Sequence, residues 1–220
     1  MTRSVKRTGR SYDNATRRAQ SEQTRHRILD AARDLLVSKG YRATTVTQIA
    51  QEADVHVDTI YALVGRKPEI LRALIEHAIS GTGQPLPPEA RDYVQRMQAE
   101  PDPVRKLDIY ASAVRAIQTR MAPLLLALRD AASTEPQAEQ VWSQISQRRA
   151  ANMRRLVADL GDDALRPGLD LDAAADIVWA TASSEMFVLL TGERGWTLDR
   201  YQDWLADAWR RLLLEPDTAR

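Results

Sequence analysis

The chain has 220 residues, a formal net charge of +1 and no cysteine. This length is enough for one compact body or for a small domain joined to a larger one, without a metal or disulfide staple. The lack of cysteine excludes disulfide bonds, thiolate catalysis and zinc sites built on cysteine.

The charge is distributed unevenly. Residues 1–80 hold 14 Lys and Arg against 9 Asp and Glu, whereas residues 81–220 hold 17 against 21. Residues 1–20 are polar and lack apolar periodicity, which predicts a mobile basic extension. Its charge fits an arm that meets a polyphosphate and fits a solvated tail equally well, so both interpretations stay open.

Apolar spacing after the extension predicts a first helix over about residues 21–39. Ser21 is a candidate N-cap, and Gly40 supplies a left-handed stop. The residues of its apolar stripe follow the i, i+3, i+4, i+7 pattern. They are Ile28, Ala31, Ala32, Leu35 and Leu36.

Two short helices follow, joined by a tight turn. Thr45 is a candidate cap for a helix over 46–53, and Asp54-Val55-His56 leads directly into a second helix over 57–64. Two such helices after a longer one predict a helix-turn-helix, in which the last member is the recognition helix.

A fourth helix is predicted from Pro68 to Ser80, because proline fits the first turn of a helix. The stretch 81–88 contains two glycines and three prolines, so the domain boundary is placed there. Beyond it, periodicity predicts further helices at about 89–99, 103–119, 121–132, 135–160, 172–191 and 197–214. The predicted fold is all-α, with domains at 21–80 and 81–220.

The stretch from Thr24 to Ile79 resembles the DNA-binding domain of the TetR family of regulators. The matching residues lie in the family's order and spacing. They are Ile28-Leu29-Asp30-Ala31-Ala32, Lys39-Gly40-Tyr41, Thr44-Thr45-Val46, Ile49-Ala50, Ala53, Val55, Thr59-Ile60-Tyr61 and Lys67-Pro68-Glu69-Ile70-Leu71. The resemblance implies a DNA-binding regulator that acts as a homodimer on double-stranded DNA with a palindromic operator.

The resemblance implies that Thr45, Tyr61 and Lys67 contact phosphates of the DNA. A helix N-terminus presents free N–H groups to phosphate, a phenol donates a hydrogen bond, and lysine supplies a positive charge. Taken singly, these residues also fit a cap, a half-buried aromatic ring and a solvated charge. Within the matching segment, DNA contact is the preferred interpretation.

Base reading is expected from the exposed side of the recognition helix. The candidates are His56, Val57, Asp58, Thr59 and Ala62, with Gln48 as an outlying one. This segment departs from the usual family pattern, since Asp54 replaces a customary glycine and His56 a customary serine. Asp58 either accepts from a cytosine amino group or stabilises the start of the helix, and we favour the second role.

The second domain is expected to hold an effector pocket among helices between residues 89 and 180. Methionine adapts its shape, and tyrosine and tryptophan join apolar area to a polar group. The ligand-binding candidates are Met97, Tyr110, Met121, Trp142, Trp179 and Glu185. Ordinary core packing remains the alternative for each of them, and Glu185 could face a cationic ligand or a neighbouring arginine.

By resemblance, the helices at about 172–191 and 197–214 pair with their symmetry mates in a homodimer. The apolar side of the first contains Leu171, Ala175, Val178, Ala182, Met186 and Leu189, whereas Trp179 and Phe187 emerge elsewhere. More than one apolar face therefore needs cover, which a second subunit would supply.

Other classes of function have little support in the sequence. There is no HExxH spacing, glycine-rich phosphate loop or GxSxG elbow, so we expect no enzyme, no metal site and no cofactor. Basic N-terminal residues without a following apolar stretch, and a 173–190 segment interrupted by acids, predict a cytoplasmic protein without a membrane span. The alternative function is an architectural or partner-recruiting DNA-binding dimer that has no small-molecule effector.

Overall fold

The computed structural model of the chain describes residues 8–81 and 86–215, with the side chains of residues 8–15 and 162 outside that description. The described residues form helices and no strand, apart from one β-bridge between Leu165 and Leu214. The all-α prediction is therefore confirmed. The helices are α1 (Thr8–Ala43), α2 (Val46–Glu52), α3 (Val57–Leu63), α4 (Lys67–Ser80), α5 (Asp92–Ala99), α6 (Pro103–Ala132), α7 (Pro136–Ala158), α8 (Leu171–Thr181), α9 (Ser184–Val188) and α10 (Leu198–Leu213).

The chain divides into two compact units between Leu74 and Ile75, which we call the N-terminal and C-terminal units. The division falls inside α4, ahead of the 81–88 stretch where glycine and proline suggested a boundary. Of that stretch, residues 82–85 lie outside the described residues. A helix can belong to two domains, because the side chains it buries, rather than its end, decide where each domain stops.

Helix α1 begins at Thr8, which corrects both the start predicted at Ser21 and the mobile extension predicted for residues 8–20. The reason lies in burial. Residues 16–20 are exposed, so this part of the helix has no apolar stripe by which periodicity could reveal it. Residues 1–7 of the predicted extension lie outside the described residues. At the other end, the helix breaks at Gly40, whose φ of 79° is positive as expected.

The core of the N-terminal unit consists of the predicted stripes. All five predicted α1 residues are buried, and so is Ile49 of α2. Ile60 is the buried residue of α3, at 0% exposure. Thr44 is also fully buried, and its hydroxyl donates to the carbonyls of Leu35 and Gly40 at 3.1 and 2.8 Å, which ties the end of α1 to the start of α2.

In the C-terminal unit, α6 is one helix of 30 residues where two had been predicted. Pro123 suggested a new start at residue 121, because an internal proline removes one backbone hydrogen bond. Pro123 is exposed, so water can reach the carbonyl that it leaves unpaired. On either side of it, Ala122 and Leu124 are buried and hold the helix to the core.

The helix predicted over 172–191 is instead two helices. Helix α8 ends at Thr181, and Ser183 caps α9 by accepting from the Met186 N–H at 3.2 Å. The single apolar stripe expected from Leu171 to Leu189 is therefore wrong, because the break at Ala182 and Ser183 changes the helical register. Phe187 turns inward, 8% exposed, and packs edge-to-face on Tyr201 at 5.1 Å between ring centroids.

Trp209 lies at the centre of this second core. It is fully buried, stacks on Tyr110 at 5.3 Å and donates its indole N–H to the Thr181 hydroxyl at 2.7 Å. The indole therefore joins α10, α6 and α8, and its polar atom is satisfied.

Among the described residues, no single helix is long and apolar enough to cross a membrane. Only two consecutive segments taken together, Leu171–Thr181 and Ser184–Glu193, have the length and composition of a span, and they are bent by 41°.

Candidate DNA-binding surface and ligand cavity

The start of α2 is held by a reciprocal capping box. The Thr45 hydroxyl accepts from the Gln48 N–H at 3.2 Å, and the Gln48 side-chain oxygen accepts from the Thr45 N–H at 2.9 Å. The cap expected of Thr45 is confirmed. Gln48, predicted as an outlying base reader, uses its amide oxygen in this box and retains its NH2 group as a free end of the side chain.

A single residue in left-handed conformation turns the chain from α2 to α3. Asp54 has φ 51°, and it is the only non-glycine residue with positive φ among those described. The Val55 N–H then donates to the Ala50 carbonyl at 3.0 Å and closes the turn. A left-handed residue at this position accounts for the glycine that is customary there in the tetR family. Aspartate is one of the few residues with a Cβ that tolerate the left-handed conformation.

Helix α3 presents one face to the core and the other to solvent. Ile60 points inward, whereas Asp58, Tyr61 and Ala62 are exposed, and Tyr61 reaches 50% exposure. Positions 58, 61 and 62 lie next to one another on a helix, so they form one continuous surface. We call it the α3 face.

The other candidate readers border the α3 face. His56 is exposed, and Val57 and Thr59 are half-buried. His56 is the N-cap residue of α3, but its side chain makes no capping hydrogen bond. Asp58 lies in the first turn, where its carboxylate favours the positive end of the helix dipole without being the cap residue itself.

Lys67 is the first residue of α4, and its position is fixed by an aromatic ring. Its ammonium lies 3.9 Å from the centroid of the Tyr41 ring, and Tyr41 itself is 3% exposed. The adjacent Arg66 N–H is capped by the Glu69 carboxylate at 2.9 Å. The positive charge is thus held at a defined place at the N-terminus of a helix.

A cavity of about 360 Å³ lies in the C-terminal unit, enclosed by parts of α4, α5, α6 and α7. This volume is near the lower end of the range of small-molecule sites. Three of the six predicted ligand residues line it, namely Met97, Tyr110 and Met121. Each of the three is less than 7% exposed.

The other three predicted residues do not line this cavity. Trp142 is half-buried and packs 6.0 Å from the guanidinium of Arg129, and Trp179 is packed against Arg149. Glu185 forms an ion pair with Arg129 at 2.5 Å, so of the two partners considered for it the structure provides the neighbouring arginine. Residue type alone does not distinguish an aromatic in the cavity wall from one in the layer behind it.

The cavity wall also contains polar groups that the sequence did not single out. Gln118, 2% exposed, donates to the Ala182 carbonyl at 2.6 Å and accepts from the Ser184 hydroxyl at 2.7 Å. Arg91 is 8% exposed, and Arg149 is half-buried. A polar position within an apolar helical stripe was the available signal for Gln118, at i+4 from Val114.

Tyr110 joins the polar and apolar parts of the wall. Its hydroxyl donates to the sulfur of Met153 at 3.1 Å, a weak acceptor. Burial raises the pKa of Tyr110, the nearby ring of Tyr93 raises it further, and the positive charge of Arg149 opposes the shift. The hydroxyl therefore remains a neutral hydrogen-bond donor at physiological pH. Within the described residues, no group of three or more His, Asp or Glu side chains is placed to hold a metal ion.

Comparison with known proteins finds a family match within the N-terminal unit. The sequence profile of the bacterial regulatory proteins of the tetR family matches residues 28–74. The uncharacterised HTH-type transcriptional regulator YvkB of Bacillus subtilis (strain 168) is 46% identical over 63 residues, which are 29% of this chain and 33% of YvkB. The chain thus matches about a third of the length of that relative.

The fold of nearly the whole chain recurs in solved structures. The crystal structure of native NalD, the secondary repressor of the MexAB-OprM multidrug efflux pump in Pseudomonas aeruginosa, has a TM-score of 0.68 at 23% identity and covers 89% of this chain and 99% of NalD. A complex of SmeT with triclosan also has a TM-score of 0.68, at 19% identity, and covers 89% of this chain and 94% of SmeT. At these identities the likeness concerns the fold.

The matched segment spans the apolar stripe of α1, the capping box, the left-handed turn, the α3 face and the start of α4. The C-terminal unit adds the helical fold that these structures share. The family likeness thus rests on residues 28–74, which match the tetR family of bacterial regulatory proteins.

Proposed function

We propose that the chain is a transcriptional regulator of the bacterial cytoplasm that binds a palindromic operator as a homodimer and releases it when a small molecule enters the cavity. The observation that carries the proposal is the α3 face, a continuous exposed surface on the second helix of a helix-turn-helix. A helix of this kind fits the major groove, where base edges can be read.

Phosphate contacts from α3 itself and from the starts of α2 and α4 would fix the register of α3 on the duplex. Thr45 and Lys67 lie at the N-terminal ends of α2 and α4, where free N–H groups and the helix dipole favour an anion. Tyr61 is exposed on α3 between them and can donate its phenolic hydrogen. His56, Val57, Asp58, Thr59 and Ala62 are then the proposed readers of sequence.

A cavity with an apolar wall and a few fixed polar groups supports a small-molecule effector. Met97, Tyr110 and Met121 are the proposed ligand contacts from the predicted set. SmeT, which shares the fold, binds triclosan in its complex, and NalD is a repressor. These properties support a repressor that senses a ligand.

Helix α4 provides a physical route from the cavity to the DNA-binding surface. Arg148 lines the cavity and forms an ion pair with Glu76 of α4 at 2.5 Å. Arg120 of α6 donates to the Ala78 carbonyl at 2.8 Å. A ligand that moves Arg148 would therefore shift α4, whose first residue is Lys67. Effector release follows if the ligand prefers the α4 position that disrupts operator spacing.

The homodimer is supported by apolar side chains left exposed at the end of the chain. Leu189, which follows α9, is 45% exposed, and Leu212 on α10 is 40% exposed. A two-fold partner would cover both and would space two recognition helices by about one turn of DNA, roughly 34–36 Å.

The first experiment selects the operator. The full chain is incubated with a library of random-sequence duplexes, and bound DNA is sequenced over successive rounds. We expect an inverted repeat to be enriched. Enrichment of no sequence, with salt-independent retention of DNA, would refute the proposal.

The selected duplex then tests Lys67 by fluorescence anisotropy. We expect Lys67→Ala to weaken binding by about tenfold and to reduce the salt slope by about 0.9 per lysine, because each lysine removed leaves one phosphate unneutralised. Arg105→Ala is the control, since it removes one positive charge, 73% exposed, from the C-terminal unit. Equal binding by Lys67→Ala and its parent across the salt series would show that the contact is assigned wrongly.

A further inference from the structure

We propose that the cavity is selective for an apolar carboxylate, whose anionic group pairs with the guanidinium of Arg149. This inference rests on the proposed function only in taking the cavity as a ligand site. It adds the chemical class of the ligand and the residue that selects it.

The cavity wall has two chemical parts. Most of it is apolar, including Val94, Met97, Val114, Ile117 and Met121. The polar remainder contains three amides, Gln98, Gln118 and Asn152, and more arginines than acids: Arg91, Arg148, Arg149 and Arg155 against Glu89 and Asp159. A ligand that satisfies both parts has an apolar body and a negative group.

The acidic side chains at or near the wall have partners other than Arg149 or are exposed to solvent. Asp159 is engaged by Lys106, whose ammonium donates to its carboxylate at 2.8 Å and to its carbonyl at 2.5 Å. Glu89 is an exposed residue of the short 3-10 helix before α5. Glu76 forms ion pairs with Arg148 at 2.5 Å and with Arg91 at 4.0 Å.

Of the two lining arginines for which the described structure shows no carboxylate partner, Arg155 is exposed to solvent and Arg149 is half-buried. Within the part of the chain that the structure describes, no Asp or Glu oxygen lies within 4.0 Å of its guanidinium. The nearest acid in electrostatic terms, Glu185, already pairs with Arg129 at 2.5 Å. Burial lowers the pKa of Arg149, which is the signature of a cation removed from water without full compensation.

What Arg149 does contact holds it in place and leaves it with donors to spare. It donates one hydrogen bond to the Trp179 carbonyl, and its guanidinium lies 4.9 Å from the centroid of the Trp179 ring. A guanidinium has five N–H donors in a planar fork, and stacking on a ring face leaves its edge free. That edge is the geometry in which arginine binds a carboxylate through two parallel hydrogen bonds.

Two further donors lie close to this positive end of the cavity. Arg91 and Tyr110 line the same cavity as Arg149, and the positive charges of both arginines oppose the rise that burial causes in the pKa of Tyr110. The Tyr110 hydroxyl donates to the thioether sulfur of Met153, which is a weak acceptor, and the Arg91 Nε is buried without a hydrogen-bond partner in the described structure. A carboxylate oxygen is a better acceptor for both than those they have now.

Binding of three C8 probes to the full chain tests the charge preference by calorimetry. Octanoate, 1-octanol and octylammonium share the apolar body and differ in the charge of the head group. We expect octanoate to bind at least about tenfold more tightly than 1-octanol, and octylammonium to bind least, because a charge-assisted hydrogen bond is roughly twice as strong as a neutral one. Equal affinity for octanoate and 1-octanol, or a preference for octylammonium, would overturn the proposal.

Substitution on α7 tests the residue. Arg149→Gln is expected to abolish the preference for octanoate over 1-octanol, while Arg149→Lys retains part of it. Arg154→Gln is the matched control, because Arg154 lies on the same helix, is 57% exposed and does not line the cavity. An unchanged preference in Arg149→Gln, or a loss of equal size in Arg154→Gln, would contradict the assignment.

A spectroscopic measurement keeps the test decisive if Arg149→Gln folds poorly. The 13C resonance of carboxyl-labelled octanoate bound to the parent chain is followed against pH. Pairing with a guanidinium predicts a carboxyl pKa below that of free octanoate, whereas burial in an apolar site predicts a higher one. All these experiments omit DNA, so failure to bind octanoate with intact operator binding refutes this inference alone, and the reverse result refutes the proposed function alone.

Discussion

At the scale of single residues, the helix-turn-helix depends on the backbone of Asp54. Its φ of 51° turns the chain so that Ile60 enters the core and the α3 face stays outside. The usual glycine adopts this conformation without strain, and aspartate does so at a small cost. The residue at this position is therefore constrained by geometry rather than by contact with a partner.

We expect Asp54→Val to lower the free energy of unfolding of the N-terminal unit by about 1–2 kcal/mol, because a β-branched side chain is strained at positive φ. Asp54→Gly is expected to unfold at the same urea concentration as the parent or a higher one. Urea titration followed by circular dichroism measures both. Equal midpoints for the valine and glycine variants would show that φ does not limit stability here.

Two tyrosines should resist ionisation while the chain is folded. Burial raises the pKa of Tyr110 and of Tyr201, whose hydroxyl has no hydrogen-bond partner in the described structure. Because the folded pKa lies above the unfolded value of about 10, the stabilisation is complete below pH 10 and is lost as the pH rises further.

Absorbance at 295 nm against pH checks this expectation. Tyr110 and Tyr201 should ionise only together with alkaline unfolding, and Tyr110→Phe should remove one of these two late ionisations. Ionisation of all the tyrosines near pH 10 with helicity intact would contradict it.

At the scale of elements, Glu76 ties α4 to its neighbours in the C-terminal unit. Its side chain is 20% exposed and faces Arg91, which is only 9% exposed, and the more accessible Arg148. Removal of the carboxylate leaves a largely buried cation facing an uncharged amide, which is destabilising.

We expect Glu76→Gln to cost about 1–3 kcal/mol, with the Arg148 share reduced by solvent screening. Thermal unfolding measures the change. Glu89→Gln serves as control, since it removes an equal charge from an exposed residue on the same cavity rim. A drop in melting temperature as large for Glu89→Gln would mean that charge alone, rather than the ion pairs of Glu76, is responsible.

Sequence periodicity predicted those elements whose apolar faces are buried. The stripe of α1 is found as expected, because a helix that packs must repeat apolar residues every three or four positions. The start of α1 at Thr8 was not visible, since an exposed helix needs no such stripe. At Pro123 we predicted a break that the structure does not have, and at Ser183 we predicted a continuous helix where the structure has a break. Whether a helix tolerates a proline, and whether a serine caps a new helix, depends on the surrounding structure.

The site was predicted in part. The candidates of the helix-turn-helix followed from local spacing, because α2 and α3 are contiguous in the sequence. The cavity draws on four helices, and three of its six predicted residues line it. Arg149 was missed because an arginine in a polar helix stretch looks like surface, and only the fold reveals which acids are already paired.

At the scale of the whole molecule, two exposed leucines carry the expected homodimer. We predict that Leu189→Glu with Leu212→Glu shifts the chain from dimer to monomer, because charges are costly in an apolar interface. Light scattering on a sizing column measures the mass. Val37→Glu is the control, as Val37 is 51% exposed on α1 of the N-terminal unit. A parent that elutes as a monomer, or a double variant that stays dimeric, would disprove this interface.

Helix α4 belongs to both units, and this affects how the protein can be cut and recombined. Ile75 and Ala78, on its second half, are buried in the C-terminal unit. A fragment that ends at the glycine- and proline-rich stretch 81–88 would therefore expose these apolar side chains of α4 to solvent and tend to aggregate. A chimaera that joins this N-terminal unit to another ligand-binding domain should be fused between Leu74 and Ile75. The ligand-binding domain then supplies the second half of the helix in the same helical register.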